Sequence, residues 1–347
     1  MLAGQGLTTP EVAVVLAYTK NTLSDALLAS AVPDDPTFEP ILTTYFPTAM
    51  RDRFASQIRE HRLRREIIAN RIANLVVDRA GTTMLYRLGQ ETSAPAHDVA
   101  AAHMAVWQIF RLDELNAAVN DLDGRVPVVR QLATHLSARQ LAERATRLML
   151  RSRPYPFSAA DAVADLAEPV QAILGDLPAY LQGADLASFD ALTAEIEADG
   201  MPAELARRIA ALAPSLAALD VVEVAGQTGA PADTTAVAHF AIADHLELNW
   251  LRDHILALPR DTQWSSLARL TLRGDLYADH RDLTAQVVGR DLDASGGDLV
   301  DGWMRRNAAP VDYFRRTVTD IRAAGPTDLT TLLVAARELR NLISRTT

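Results

Sequence analysis

The chain has 347 residues, a formal net charge of −10, no cysteine, 49% hydrophobic residues and 5% aromatic residues. This length suffices for two or three domains, or one extended helical array, with a sizeable core. The lack of cysteine excludes disulfide scaffolds, thiolate zinc sites, iron–sulfur clusters and cysteine nucleophiles, and a reducing, cytosolic setting is expected. The acidic balance argues against a general nucleic-acid binder, because neutralising phosphates needs a surplus of Lys and Arg.

Residues 12–18 form an uninterrupted apolar run, far short of the ~20 residues of a membrane span and with no basic region before it, so neither a signal peptide nor an anchor is expected. Lys20 is the only lysine, and the other basic positions are arginines. Proton carriage or Schiff-base chemistry by lysine would rest on that one residue.

Alanine- and leucine-rich segments with apolar residues three to four apart, and no series of alternating strand segments, predict an all-α chain, a multi-helix array. Thr9 followed by Pro10 reads as an N-cap with proline in the first turn, and Val12, Val15, Leu16, Thr19, Leu23, Ala26 and Leu27 then make one helical stripe. Pro33 to Pro36 ends it. A long second helix is expected over about 48–77, closed by Gly81. Further breaks fall at 93–96, 121–127, 151–157, 226–231, 258–261 and 291–297. The segment RSRPYPFS, 151–158, carries two prolines that cannot continue a helix, and is read as a hinge between helical parts at 1–150 and 159–347. No fixed-period self-similarity of the kind that marks a solenoid is apparent.

The motifs that would carry chemistry are weak. There is no GxGxxG and no GxxxxGK[ST], and Gly4 with Gly6 forms only a GxG with no strand before it. Asp291, Asp293, Ser295 and Gly296 open like a calcium loop, but the twelfth position is Gly302, where a bidentate carboxylate is needed. Residues 221–242 have the spacing of a helix-turn-helix. The second helix, however, offers Asp233, Thr234, Thr235, Ala236, Ala238 and His239 and no basic side chain.

His239, His245 and His254 lie close in sequence without the i, i+4 spacing of a helical metal pair. His254, among Trp250, Leu251, Ile255 and Leu258, reads as a partly buried core histidine. Asp121 with Asp123 and Glu195 with Glu197 read as solvated surface pairs. No catalytic, cofactor-binding or metal-ligating residue is assigned. Trp250, Trp264 and Trp303 could serve a core or an interface.

The most informative stretch is HRLRREIIANRIANLVV, 61–77. Phe54, Ile58, Ile68, Ile72, Leu75 and Val76 share one face of the expected helix, yet His61 and Arg65 interrupt it. Seven arginines between Arg51 and Arg71 face only Asp52, Glu60 and Glu66. Either these arginines are paired within the fold, or Arg62, Arg64 and Arg65 are docking residues for an acidic surface of another domain or subunit.

Several long strings carry a resemblance. LTTPEVAVVLAYTK (7–20), PDDPTFEPILTTYFP (33–47), HRLRREIIANRIANLVVDRAG (61–81), LAALDVVEVAGQTG (216–229), LNWLRDHILALP (248–259) and WSSLARLTLRGDLYADHRDLTAQV (264–287) resemble the C-terminal region of the large bacterial NAD-specific glutamate dehydrogenases. Asp78 departs from the asparagine expected in that family's turn, and 156–215 match less distinctly.

The resemblance implies a multidomain, cytosolic, homo-oligomeric enzyme that oxidises glutamate to 2-oxoglutarate and ammonium while reducing NAD. Its dinucleotide fold and catalytic lysine and aspartate would lie upstream, so this chain would hold no catalytic residue and no NAD, and would pack against the upstream catalytic domain of its own polypeptide. No nucleic-acid or membrane partner is implied. A free-standing helical adaptor that binds a partner helix, or a helix-turn-helix regulator, are the alternatives that the residues leave open.

Overall fold

A computed structural model describes residues 6–292, 294–325 and 327–346. The described residues are helical with no strand. In chain order the helices are α1 (Thr9–Leu28), α2 (Glu39–Tyr45), α3 (Thr48–Arg51), α4 (Ala55–Arg59), α5 (Arg64–Ala80), α6 (Met84–Thr92), α7 (Ala96–Ile109), α8 (Leu112–Asn120), α9 (Val128–Ser152) and α10 (Ala159–Tyr180). Then follow α11 (Gly183–Ala198), α12 (Ala203–Ala210), α13 (Ala217–Thr228), α14 (Ala232–His245), α15 (Leu248–Ala257), α16 (Gln263–Val288), α17 (Gly296–Arg306), α18 (Ala308–Ala323) and α19 (Leu329–Arg345).

Two compact units divide the chain, one reaching to Gln171 and including Asp199–Met201, the other made of Ala172–Ala198 and everything from Pro202 onward. The division therefore falls inside α10, and segment 151–158 lies within the first unit. Local bonds explain this placement. Phe157 is buried. The Asp35 carboxylate accepts hydrogen bonds from Ala159 N and Ala160 N at 3.0 and 3.1 Å, capping α10 from a distant turn. Further along, the Gln171 amide donates to Ile109 O at 2.7 Å.

At the start of α1 the cap is Thr8 rather than Thr9. The Glu11 carboxylate accepts from both Thr8 N and Thr8 Oγ1 at 2.7 Å, and Pro10 occupies the first turn. The long helix expected over 48–77 is three pieces, α3, α4 and α5. Phe54 and Leu63, at φ −120°, ψ 28° and φ −99°, ψ 23°, leave the helical region between them.

The polar gap in the apolar stripe marks the second break. His61 Nδ1 accepts from Leu63 N at 3.2 Å in that turn. Ile58 and the run Ile68, Ile72 and Val76 are then buried from separate helices. Gly81 closes α5 as expected, at φ +79°, and Arg139 donates to the freed Ala80 carbonyl at 2.7 Å.

In the first unit α7 is the central helix, buried continuously from Asp98 to Trp107 and packed against α1, α5, α6, α8 and α9. In the second unit α14 holds the same position against α13, α15, α16 and α17. Leu276, Leu283, Trp303, Phe314 and Leu339 fill the core around it.

The two units contain an internal repeat. TSAPAHDVAAAHMA, 92–105, aligns without a gap on TGAPADTTAVAHFA, 228–241, with eight of fourteen positions identical. Geometry repeats with sequence, so that α6–α9 correspond to α13–α16. Thr92 and Thr228 each donate to the carbonyl four residues back, at 2.6 and 2.8 Å, and each accepts from the amide two residues on, at 3.3 Å. Left-handed Ser93 and Gly229 end the first helices of the two copies, at φ 60° and 76°. Left-handed Arg111 and Glu247, each eight residues past the shared histidine, start the third, at φ 48° and 52°. This is one long unit in two copies and not the fixed-period array of a solenoid, so a search for short periods passes over it.

Candidate functional site

The three arginines singled out in the sequence sit where α5 begins, beside the end of α1. An α-helix leaves its last four carbonyls without internal partners. Here Arg65 supplies donors for that end, giving Nη2 hydrogen bonds to Leu28 O and Ser30 O, both at 2.9 Å. Arg64 meets the same corner, with Nη2 2.6 Å from Asp34 Oδ1, and Arg65 forms a second ion pair with Asp34. Arg62 stands exposed in the 60–63 turn. Within the same cluster, Arg51 donates to Phe46 O and Thr44 O at 2.9 and 3.0 Å, and Arg59 lies 3.7 Å from Glu39. Arg64 and Arg65 are thus bound within the fold, and only Arg62 of the three faces solvent freely.

Histidine chemistry is buried in both copies of the repeat. Thr146 donates its hydroxyl to Ala142 O at 2.6 Å, so its oxygen must accept from His103 Nδ1 at 3.3 Å. His103 Nε2 in turn accepts from Trp107 Nε1 at 3.0 Å. These partners assign a neutral imidazole with its proton on Nδ1. Burial, reinforced by nearby Arg79, holds its pKa down to about 3. Arg79 lies 3.9 Å from the centre of the Trp107 ring and pairs with Asp113.

In the second copy Thr284 donates to His280 O at 2.8 Å and accepts from His239 Nδ1 at 3.0 Å, and His280 Nε2 donates to His239 O at 2.9 Å. The His239 and His280 rings stack at 3.7 Å. Burial, with the neighbouring imidazole, pushes His239 well below the ordinary histidine range, and burial holds His280 at about 4. Both are neutral core groups, locked by hydrogen bonds and unsuited to proton transfer near neutrality.

The paired charges of the two copies are exchanged. In the first, Arg87 of α6 grips Glu143 of α9 through two bonds of 2.8 and 2.9 Å, and Arg147 adds one of 3.2 Å. Burial alone would raise the Glu143 pKa, but the two guanidiniums override it and hold it at about 2. In the second, the corresponding pair is Glu223 on α13 and Arg281 on α16, 3.5 Å apart. Arg281 also reaches Asp220 at 3.4 Å. Asp220 stands where the first copy has the fully buried Met84. Its 3% exposure makes burial dominant, and the carboxyl is pushed up to about 7.

Other sequence candidates resolve plainly. The two helices of the helix-turn-helix spacing are α13 and α14, but α14 buries Thr235, Ala236 and every residue from Ala238 to Ala243 and has no face to lay in a groove. His254 is half-buried as expected, its Nδ1 donating to Trp250 O at 2.9 Å. It edges an open concavity of about 290 Å³ with Ala257, Leu258, Pro259, Gly325 and Thr327. His239 stacks on His280 while His254 bonds to Trp250, so the two histidines have different partners.

Asp293 of the calcium-like loop lies outside the described residues, and Ser295 caps α17 by accepting from Asp298 N at 3.2 Å. Among the described residues no cluster of three His, Asp or Glu side chains could hold a metal ion, and no single helix is long and apolar enough to cross a membrane. Trp303 is core, Trp264 is 74% exposed, and Trp250 is partly covered by the Arg322 guanidinium at 4.8 Å. Asp78 lies in the last turn of α5, paired with Lys20 at 2.7 Å. The buried histidine–threonine locks escaped the sequence reading. The shared T-x-A-P-A motif followed by A-x-A-H at 92–103 and 228–239 was the signal that could have found them.

The family profile described as "Glutamate dehydrogenase, C-terminal" matches residues 4–341. Similar proteins include the NAD-specific glutamate dehydrogenases of Mycobacterium tuberculosis and Pseudomonas aeruginosa, each 34% identical over 98% of this chain, and that of Halomonas elongata, 30% identical over 97%. The chain spans 21% of the length of each of these relatives.

Proposed function

Because this chain belongs to the family of glutamate dehydrogenase C-terminal regions, we propose that it is a non-catalytic helical region of an NAD-dependent glutamate dehydrogenase. The intact enzyme would convert L-glutamate, NAD+ and water to 2-oxoglutarate, ammonium and NADH in the cytosol, as a homo-oligomer. The observation that carries this reading is collinearity: nearly the whole chain aligns with three such enzymes, and always over about a fifth of their length.

The described residues do not fit NAD. A dinucleotide pyrophosphate rests on backbone amides of a glycine turn between a strand and a helix, and no described strand feeds such a turn. The concavity beside His254 offers one imidazole and one threonine among apolar groups.

The role proposed for the chain is architectural: to dock on the upstream catalytic domain and limit or transmit its motions, as hinges and lids govern turnover in other enzymes. Deleting this region from the full-length gene product and measuring NAD-dependent glutamate oxidation tests it. A changed kcat, KM or oligomer distribution is expected, and unchanged kinetics and assembly would refute the role.

A further inference from the structure

A helix that is apolar on every side is ordinarily covered on every side. Residues 12–18, VAVVLAY, make the first half of α1 such a helix, yet residues 6–15 are exposed throughout, and so is Tyr18. Val12, Val14, Val15 and Tyr18 retain 40, 54, 39 and 70% of their accessible surface. The second half of the same helix behaves differently, with Leu23 and Leu27 fully buried.

Two ties explain the contrast. Arg65, near the start of α5, holds the last carbonyls of α1, while Lys20 reaches Asp78 at 2.7 Å near the end of α5. The two helices are therefore antiparallel, and beyond Asp78 only Arg79 and Ala80 remain before Gly81 turns the chain. Residues 9–17 of α1, roughly 13 Å of helix at ~1.5 Å per residue, run on past that end, with Tyr18 at its edge.

We infer that this overhang is the seat of the upstream part of the longer polypeptide, the part outside the 21% that this chain covers in its relatives. The inference rests on the reading that the chain is the C-terminal region of such an enzyme. The contact is apolar. Glu11 is the one charged side chain in residues 6–18, and it is spent on capping Thr8.

A second copy of the chain is a poor occupant. Four large exposed apolar side chains, with Ala13 and Ala17 between them, offer a few hundred Å² at most, of the order of the largest patch on an ordinary monomer, whereas a stable dimer buries about 1,200–2,000 Å². A partner on the same polypeptide needs far less, since tethering supplies an effective concentration of the order of millimolar.

The test compares this chain alone with the full-length gene product. Amide hydrogen exchange over residues 12–18 is followed in the unmodified proteins. In parallel, Val14→Cys is modified with a maleimide and quantified at the peptide level, the chain itself having no other cysteine. At least a tenfold slowing of both rates in the full-length protein is expected. Equal rates in the two proteins would overturn the inference, and so would protection in the chain alone that grows with its concentration, because a second copy would then be the occupant.

The unmodified full-length sample is also assayed for NAD-dependent glutamate oxidation. An active enzyme with fast exchange at residues 12–18 sinks the docking inference and leaves the proposed function standing. An inactive product, or one no longer than this chain, sinks both.

Discussion

Asp220 gives the sharpest test of the electrostatics. Its carboxyl is raised from the ordinary value of 3.8 to about 7, chiefly by burial, with Glu223 nearby also raising it and Arg281 opposing. A carboxyl whose folded pKa lies above its unfolded one binds its proton more tightly in the native state. Its contribution to stability is full below pH 3.8 and is lost as pH rises through about 7. At about 1.4 kcal/mol per pH unit the whole loss is about 4 kcal/mol, of which about 3 kcal/mol falls between pH 5 and pH 8.

Asp220→Asn keeps the shape and cannot ionise. Relative to the parent protein it should gain about 3 kcal/mol more at pH 8 than at pH 5, read from urea unfolding midpoints and slopes. Asp220→Met, which copies Met84 of the first repeat, should show the same pH signature, because methionine cannot ionise either. A difference between variant and parent that is equal at the two pH values would refute the reasoning, because it would mean that Asp220 is ionised to the same extent in the folded and unfolded chain.

Three further pairs of variants are to be compared by chemical denaturation. Trp303→Ala should lose about 3–5 kcal/mol, because the side chain is wholly buried. Trp303→Phe should lose clearly less, since the buried indole N–H has no hydrogen-bond partner to forfeit. Gly296→Ala should cost about 1–3 kcal/mol: its new Cβ would press on the Thr234 carbonyl and lie 2.9 Å from Val237 Cβ and 3.0 Å from Ala238 N, where α17 crosses α14. Gly297→Ala, with nothing within 4 Å, should be neutral or slightly stabilising. Arg65→Ala should destabilise by about 2–3 kcal/mol through the loss of two charged hydrogen bonds and an ion pair, whereas Arg62→Ala should stay within about 0.5 kcal/mol.

What could be read from the chain and what could not follows a physical line. Helical class and the breaks at 93–96, 121–127, 151–157 and 258–261 were legible because proline, glycine and polar clusters act locally on φ and ψ. The breaks after Phe110 and Leu246 were not. They are made by Arg111 and Glu247 in the left-handed region, residue types that carry no turn signal and are held there by the helices on either side. The failure of the long second helix had a visible symptom, His61 and Arg65 on an apolar face. The sequence alone could not show whether that polar gap breaks the helix or faces a partner.

The three arginines singled out for docking show the same limit from the other side. A surplus of arginine is easy to count over twenty residues, but charge balance is set in space. Asp34, thirty residues before Arg64, takes up two of the three candidate arginines. Conversely the apolar face of α1 looks like an ordinary buried stripe when its period is measured along one helix. Whether it is covered depends on where α5 stops, which Gly81 decides from another part of the chain. The lysine that pins this register, Lys20, is the only one present, so Lys20→Ala should loosen α1 from α5 and speed exchange at Leu23 and Leu27. In the full-length protein, if the upstream part holds residues 12–18, that loosening should be smaller than in the chain alone, because the overhang would then be anchored from its far side.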